Sequence, residues 1–154
     1  ITLVGRDFAP GAVLTVSGAG GLVTDVRTSR DRKQVTARWT PGTTPGRYVL
    51  TLTNPDQGRA EYTPLYVQPV AVADCVVATG ASPQLIAVRG NDQPSGTGTV
   101  DLLAAAPGFA VSPDGTSLRY TPGAGPTPAR ATYVLTVDGA TSEPVDVVVR
   151  TSPC

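Results

Sequence analysis

The stretch from Thr44 to Val67 constrains the fold of this chain more than any other. It contains two runs of alternating apolar and polar residues, Tyr48–Thr53 and Arg59–Val67. Alternation with a period of two is typical of a β-strand that buries one face. The five residues between the runs, Asn54–Gly58, are rich in turn formers. The sequence therefore predicts a β-hairpin, and it predicts that the neighbouring segments pack on that hairpin as further strands.

The connection Asn54–Gly58 carries the chemistry of a tight turn. Pro55 fixes φ near the value that a type I turn requires, and Asp56 tolerates the bridge or left-handed region. Gly58 accepts a positive φ before the second strand starts, so we expect it to take the left-handed position.

The rest of the chain repeats this alternation in short segments. The 17 glycines and 15 prolines favour many short strands joined by turns, and no window has helical periodicity. Phe8 lies between the first two strand-like segments and is expected to fill the core. At Gln68–Pro69 the pattern restarts, and about seven strand-like segments follow. We predict an all-β chain of two domains, residues 1–68 and 69–154, joined stiffly by the short Gln68–Pro69 junction.

Two motifs in the first domain resemble a known family. They are G-x-D-F-x-P-G-A at Gly5–Ala12 and T-P-G-x-Y-x-L-T-x-T-N-P-D-x-G at Thr44–Gly58. Both resemble the immunoglobulin-like IPT/TIG repeats of bacterial surface proteins. Such repeats usually have a strand before the one that matches Ile1–Val4, and that strand is absent here. The resemblance implies an immunoglobulin-like β-sandwich that lacks its leading strand.

The second domain is similar to cadherin-like bacterial immunoglobulin-type repeats. The similarity rests on V-A-D at Val72–Asp74, G-N-D-x-P at Gly90–Pro94 and P-D-G-T-S-L-R-Y-T-P at Pro113–Pro122. It implies two immunoglobulin-like β-sandwiches in tandem. The relatives often continue with an acidic run that suits calcium, whereas this chain has Gln93–Gly96, which leaves fewer oxygen ligands.

The two cysteines are placed to join the ends of the second sandwich. Cys75 lies on its first strand and Cys154 just beyond its last, and these two strands are neighbours in such sandwiches. We expect a disulfide between them, and such a bridge belongs in an oxidising, extracellular setting. An intermolecular disulfide or two free thiols are the alternatives.

Catalysis finds little support in the residues. The chain has no histidine, its twelve acidic residues have no paired spacing, and it contains no G-x-S-x-G motif. We expect no enzymatic activity and no cofactor. Four polar residues, Asp74, Asn91, Asp92 and Asp138, are a candidate calcium cluster, and the alternative is that these side chains cap turns.

A basic loop is the candidate partner contact. Arg27, Arg30, Arg32 and Lys33 hold half of the positive charge of the first domain, and Trp39 follows on the next strand. These five residues are candidates for contact with a partner protein or an acidic cell-surface polysaccharide. The alternative is a solvated hairpin tip. Nucleic acid is not expected, because no aromatic residues alternate with the basic ones.

Tyr62 and Tyr66 are the candidates for a sugar-binding aromatic row. Strict alternation places both side chains on the same side of their strand. Core packing or a tyrosine corner is the simpler explanation of the two residues.

The resemblance implies a non-catalytic structural or adhesive module of a bacterial cell-surface or secreted protein. The alternatives are a polysaccharide-binding accessory module of a secreted hydrolase and a subunit of an extracellular filament or virion decoration. No stretch approaches the ~20 apolar residues that span a bilayer. Residues 1–68 hold eight basic and five acidic side chains, and residues 69–154 hold four and seven. Such opposite net charges favour head-to-tail self-association.

Overall fold

The chain folds into β-strands, as the alternation predicts. The computed structural model describes residues 1–104 and 106–154, and for Pro64 the backbone alone. Within these residues the only helical element is one 3-10 turn, Val88–Gly90. The chain divides into two compact units, Ile1–Val67 and Gln68–Cys154, called the first and second unit below. The division lies one residue before the boundary expected from the sequence.

The first unit has two three-stranded sheets, β1-β4-β3 and β2-β5-β6. Its strands are β1 (Thr2–Val4), β2 (Val13–Val16), β3 (Gly21–Thr28), β4 (Gln34–Pro41), β5 (Gly46–Thr53) and β6 (Arg59–Val67). The alternate apolar residues of these strands form one core. Leu14, Leu50 and Leu52 enter it from one sheet and Val35 from the other, with Phe8 among them. Both sheets therefore cover the same apolar interior, and the expected core position of Phe8 is confirmed.

The β5–β6 hairpin around Asn54–Gly58 forms as predicted, but its left-handed residue is Gln57 and not Gly58 or Asp56. The Gln57 N–H donates to the Asn54 carbonyl at 3.0 Å, and Gln57 has φ 71°. This is a type I turn followed by one left-handed residue. The Gly58 N–H donates to the Asp56 carboxylate at 3.0 Å.

The turn also fixes the segment that carries Phe8. The Asn54 side chain accepts a hydrogen bond from the Ala9 N–H at 3.0 Å and donates one to the Asp7 carbonyl at 3.1 Å. An added side chain at Gly5 would collide with the Phe8 ring, which lies against it. One polar residue of the hairpin thus holds a distant loop, which explains why the hairpin organises this unit.

The second unit has a larger and a smaller sheet. Its strands are β7 (Asp74–Val77), β8 (Gln84–Ile86), β9 (Thr99–Leu102), β10 (Phe109–Val111), β11 (Leu118–Tyr120), β12 (Ala129–Val137), β13 (Ala140–Thr141) and β14 (Val145–Arg150). The order β10-β11-β8 forms one sheet, and β13-β12-β14-β7 forms the other, with β9 also on β12. The two-residue strand β13 had no signal in the sequence. Buried Leu118, Val100, Tyr133 and Val147 fill the core of this unit.

The predicted disulfide between Cys75 and Cys154 is present, and the topology explains it. β7 pairs in parallel with β14, with Cys75 opposite Val148. The chain then leaves β14 and returns to bring the Cys154 Cα within 5.9 Å of the Cys75 Cα. That separation is usual for a disulfide. The bridge joins the first strand of the second unit to the segment after its last.

Candidate functional site

The basic loop is an exposed, ordered hairpin tip between β3 and β4. Arg27 lies near the end of β3, and Arg30, Arg32 and Lys33 lie on or just after the turn; all four side chains are exposed. The Ser29 N–H donates to the Gln34 carbonyl at 2.8 Å, and Arg32 has φ 58°. The structure thus brings the four predicted cations to one end of one hairpin.

Asp31 stabilises the backbone of this loop. Its carboxylate accepts hydrogen bonds from the Ser29 hydroxyl at 2.6 Å and from the Lys33 N–H at 3.2 Å. The Ser29 hydroxyl bond, helped by the Lys33 amide, lowers the pKa of Asp31. The ion pairs of the described residues are Arg59–Glu61 and Arg130–Asp146, so no cation of the loop is paired with a carboxylate there. The loop therefore presents cations that an anionic partner can contact.

Trp39 does not join this surface. It is half-buried on β4, and its indole N–H donates to the Gly20 carbonyl at 3.0 Å. Arg27 lies opposite Thr36 of β4, and Trp39 is three residues further along β4 than Thr36. An odd separation along a strand places two side chains on opposite faces. Trp39 and the basic residues are therefore separate features.

The two candidate tyrosines point to opposite faces of β6, so they do not form the candidate aromatic row. Tyr62 lies opposite the core residue Leu50, whereas Tyr66 lies opposite the exposed Arg47. A bulge between these pairs shifts the register by one residue, which reverses the faces beyond it. Tyr62 is 53% exposed and Tyr66 39% exposed.

Three of the four candidate calcium residues meet at one cluster in the second unit. The Tyr133 hydroxyl donates to the Asp74 carboxylate at 2.9 Å. Two further acceptors lie near the same hydroxyl oxygen, the Val72 carbonyl at 3.1 Å and Asp92 Oδ1 at 3.3 Å. Asp92 Oδ1 also accepts the Val72 N–H at 2.7 Å. The Asn91 amide reaches the Val72 and Ala73 carbonyls at 3.5 Å. One hydroxyl proton thus faces three acceptors.

Asp92 is the most unusual member of this cluster. It is 1% exposed, and its Oδ2 has no hydrogen-bond partner among the described residues. Burial raises the pKa of Asp92 against the lowering effect of the Val72 amide. Burial likewise raises the pKa of Asp74, helped by the Asp92 charge, and the pKa of Tyr133 is raised by burial and by both carboxylates. The cluster thus favours the protonated form of its acids.

Asp138 does not belong to the cluster. It lies in the turn after β12 with φ 48°, five residues beyond Tyr133. No group of three or more acidic, cysteine or histidine side chains that could hold a metal ion occurs in the part of the chain that the structure describes. Asp74, Asn91 and Asp92 instead bind the segment around Val72 to the body of the unit. The sequence offered no sign that Asp92 is buried.

An apolar groove runs along one side of the first unit and was not identified from the sequence. We call it the open groove. Its walls are residues of β1 and β6, and its floor is the edge of the core; it has a volume of about 600 Å³. The lining includes the apolar side chains of Leu3, Phe8, Leu50 and Leu52, the Tyr62 ring and the Glu61 carboxylate, which pairs with Arg59.

Both walls of the open groove are free sheet edges. Among the described residues, β1 pairs only with β4, and β6 pairs only with β5. The Ile1 carbonyl accepts from the Ala37 N–H, and the Gly5 N–H donates to the Lys33 carbonyl. Because bonded and non-bonded positions alternate along an antiparallel pair, Thr2 and Val4 direct their backbone groups away from β4. Unpaired backbone groups therefore border an apolar floor.

Together these features define an all-β protein whose second unit is closed by a disulfide. No protein-family model matches the chain, and no curated protein matches it. No helix of the described residues has the length and apolar character needed to cross a membrane.

Proposed function

We propose that this chain is a non-catalytic structural or adhesive module of a bacterial cell-surface or secreted protein. In this proposal residues 1–68 and 69–154 are two immunoglobulin-like β-sandwiches in tandem. The observation that carries it is the bridge between Cys75 and Cys154, which have a sequence separation of 79. Disulfides persist in oxidising compartments, which supports an extracellular location.

The polar side chains support a structural role because they hydrogen-bond the backbone of their own unit. Asn54 ties the hairpin turn to the loop before β2, and Asp31 orders the basic loop. Asp114 accepts hydrogen bonds from the Ser112 hydroxyl and from the Thr116 N–H and hydroxyl in the β10–β11 turn. Side chains used in this way stabilise loops, which suits a module that must keep its shape.

The bridge also has a mechanical consequence. A pull on the two ends of the chain reaches Cys154 and passes through the bridge to Cys75. The residues between the two cysteines then carry no load. A module with such a bridge resists extension, which is the property that a surface stalk or adhesin requires.

Single-molecule force spectroscopy tests this load path. In the oxidised protein, unfolding of the second unit should add almost no contour length. After reduction, release of the 79-residue separation should add about 260 to 280 Å, at about 3.3 to 3.6 Å per residue. The first unit has no cysteine, so its own extension is the internal control in both states. A gain of that size in oxidised molecules would remove the support for the structural proposal.

The adhesive contact that we propose is the basic loop. Its four exposed cations on an ordered hairpin fit an acidic partner, either a protein or a cell-surface polysaccharide. An aromatic platform for neutral sugars has less support. Trp39 is half-buried with its indole N–H bonded, and Tyr62 and Tyr66 point to opposite faces.

A further inference from the structure

The open groove differs from an ordinary ligand pocket in what its walls offer. A small apolar ligand would cover Phe8, Leu50 and Leu52 on the floor but would leave the backbone groups of both walls unpaired. An added β-strand satisfies both parts of the site. Its backbone pairs with a free edge, and every second side chain points into the floor. The chemistry that fits is an extended polypeptide with apolar side chains at alternate positions.

The charges of the two units indicate where such a strand comes from. The first unit holds eight basic and five acidic side chains, for a net charge of +3. The second unit holds four and seven, for a net charge of −3. Surfaces of opposite charge steer two molecules together, and like charges disfavour the wrong pairing. The second unit of another copy is therefore favoured over its first unit as the donor.

The second unit has suitable edges. β8 lies at the edge of the smaller sheet, and β7 lies at the edge of the larger one. Leu85 on β8 is 69% exposed, and Val77 on β7 is also exposed. Each edge strand thus has one side whose backbone groups pair with no strand of the described residues, and it carries an exposed apolar side chain.

We propose that the open groove accepts an edge strand from the second unit of another copy of this chain. Groove and donor are different surfaces, so the contact is heterologous and leaves a free groove and a free donor at the two ends of every complex. Contacts of this kind propagate instead of stopping at a dimer, unless the rotation closes a ring. This goes beyond the proposed structural role, because the module itself becomes the unit of assembly.

Analytical ultracentrifugation of the protein across a concentration and salt series is the first test. At an ionic strength of about 0.01 M, where charges act over about 30 Å, the average mass should rise with concentration. At about 1 M, where the range falls to about 3 Å, it should return toward the monomer. A monomer at high concentration and low salt overturns the proposal. The force experiment on the disulfide does not depend on this outcome.

Two lysine variants test the groove. Tyr62→Lys places a charge on its wall, and Leu22→Lys adds the same charge on β3, outside the groove. Both wild-type side chains are more than half exposed, at 53% and 64%, so both variants should melt near the wild-type temperature. Only Tyr62→Lys should abolish association. Equal association by the two variants would show that the groove is not the contact.

Mixing variants tests the direction of the contact. The double variant Asp101→Asn, Glu143→Gln keeps the groove but removes two exposed charges from the acidic unit. Alone it should associate more weakly than the wild type. In a mixture, the Tyr62→Lys protein still has its donor edge, and the double variant still has its groove. The two variants should therefore form one-to-one complexes of greater mass than either variant alone. A mixture with no such complex would indicate groove-to-groove pairing and overturn the head-to-tail arrangement.

Discussion

Asp92 is a buried carboxylate in an otherwise apolar core, and its ionised form lowers the folding stability of the second unit. One carboxylate oxygen accepts a hydrogen bond from the Val72 N–H, while the other has no hydrogen-bond partner among the described residues. A buried charged oxygen without a hydrogen bond is unfavourable, so protonation of this carboxyl favours the folded unit. The Tyr133 hydroxyl has one proton to donate, and Asp74 and Asp92 compete to accept it.

The folding stability of the second unit should therefore fall as pH rises through the raised pKa values of Asp74 and Asp92. The folded unit binds these protons more tightly than the unfolded chain does, because burial raises both pKa values above the ordinary 3.8. Their contribution is complete below pH 3.8 and is lost as pH rises. Asp92→Asn should flatten this slope in chemical denaturation measured from about pH 4 to 7.

The pH series needs a control variant and a lower pH limit. Asp101→Asn removes an exposed carboxylate from the same unit and should keep the wild-type slope. The Ser112 and Thr116 hydrogen bonds lower the pKa of Asp114 to about 2, so its contribution is present above pH 3.8 and is lost as pH falls toward 2. The series must stay above that range. An unchanged slope in Asp92→Asn would show that Asp92 is not the group that titrates.

At the scale of elements, the β10–β11 turn depends on one glycine. The Gly115 N–H donates to the Ser112 carbonyl at 2.9 Å, and the Gly115 carbonyl accepts from the Val100 N–H at 2.8 Å. Gly115 has φ 68°, as the Asp114-Gly115 pair predicts. An added Cβ would meet Thr99 atoms at 3.5 and 3.6 Å, which is ordinary contact. The constraint is therefore the backbone conformation.

Gly115→Val should destabilise the second unit by about 1 to 3 kcal/mol, because a β-branched residue is strained at positive φ. Gly115→Asn should lose less, since asparagine tolerates the left-handed region. Urea denaturation of the two variants measures the difference. Equal stabilities would mean that Gly115 is not needed for its positive φ.

At the scale of the whole molecule, the two units obtain stability by different means. The first relies on the core around Phe8 and Leu50 and has no cross-link. The second adds a disulfide that closes a long loop. In the chain-entropy model such a loop, with a separation of 79 residues, contributes roughly 4 to 5 kcal/mol.

Reduction should therefore affect one unit only. The melting temperature of the second unit should fall by on the order of 10 °C or more, as expected for a loss of about 2 to 5 kcal/mol from a domain of this size. The first unit should melt almost unchanged. Differential scanning calorimetry with and without reductant gives both values, and a Cys75→Ser, Cys154→Ser variant should be insensitive to reductant. Two free thiols by intact mass of the untreated protein would contradict the bridge.

The sequence by itself determined what depends on neighbouring residues. Alternation placed the strands, and Asn54-Pro55 placed the hairpin turn. These features follow from local backbone preferences and from the period of two, which short segments express without help from the rest of the chain.

The tertiary structure alone decided which faces those strands present. One extra residue in the β6 bulge turned Tyr62 and Tyr66 apart. Pro64 lies in that bulge, but a proline in a strand is compatible with an edge strand as well as with a bulge and does not fix the register. Asp92 became buried through contacts with Val72 and Tyr133, which are 20 and 41 residues away along the chain. The open groove likewise requires β1 and β6 to lie across one core. Register and long-range packing are set by contacts between distant segments, and these contacts exist only once the sheets have assembled.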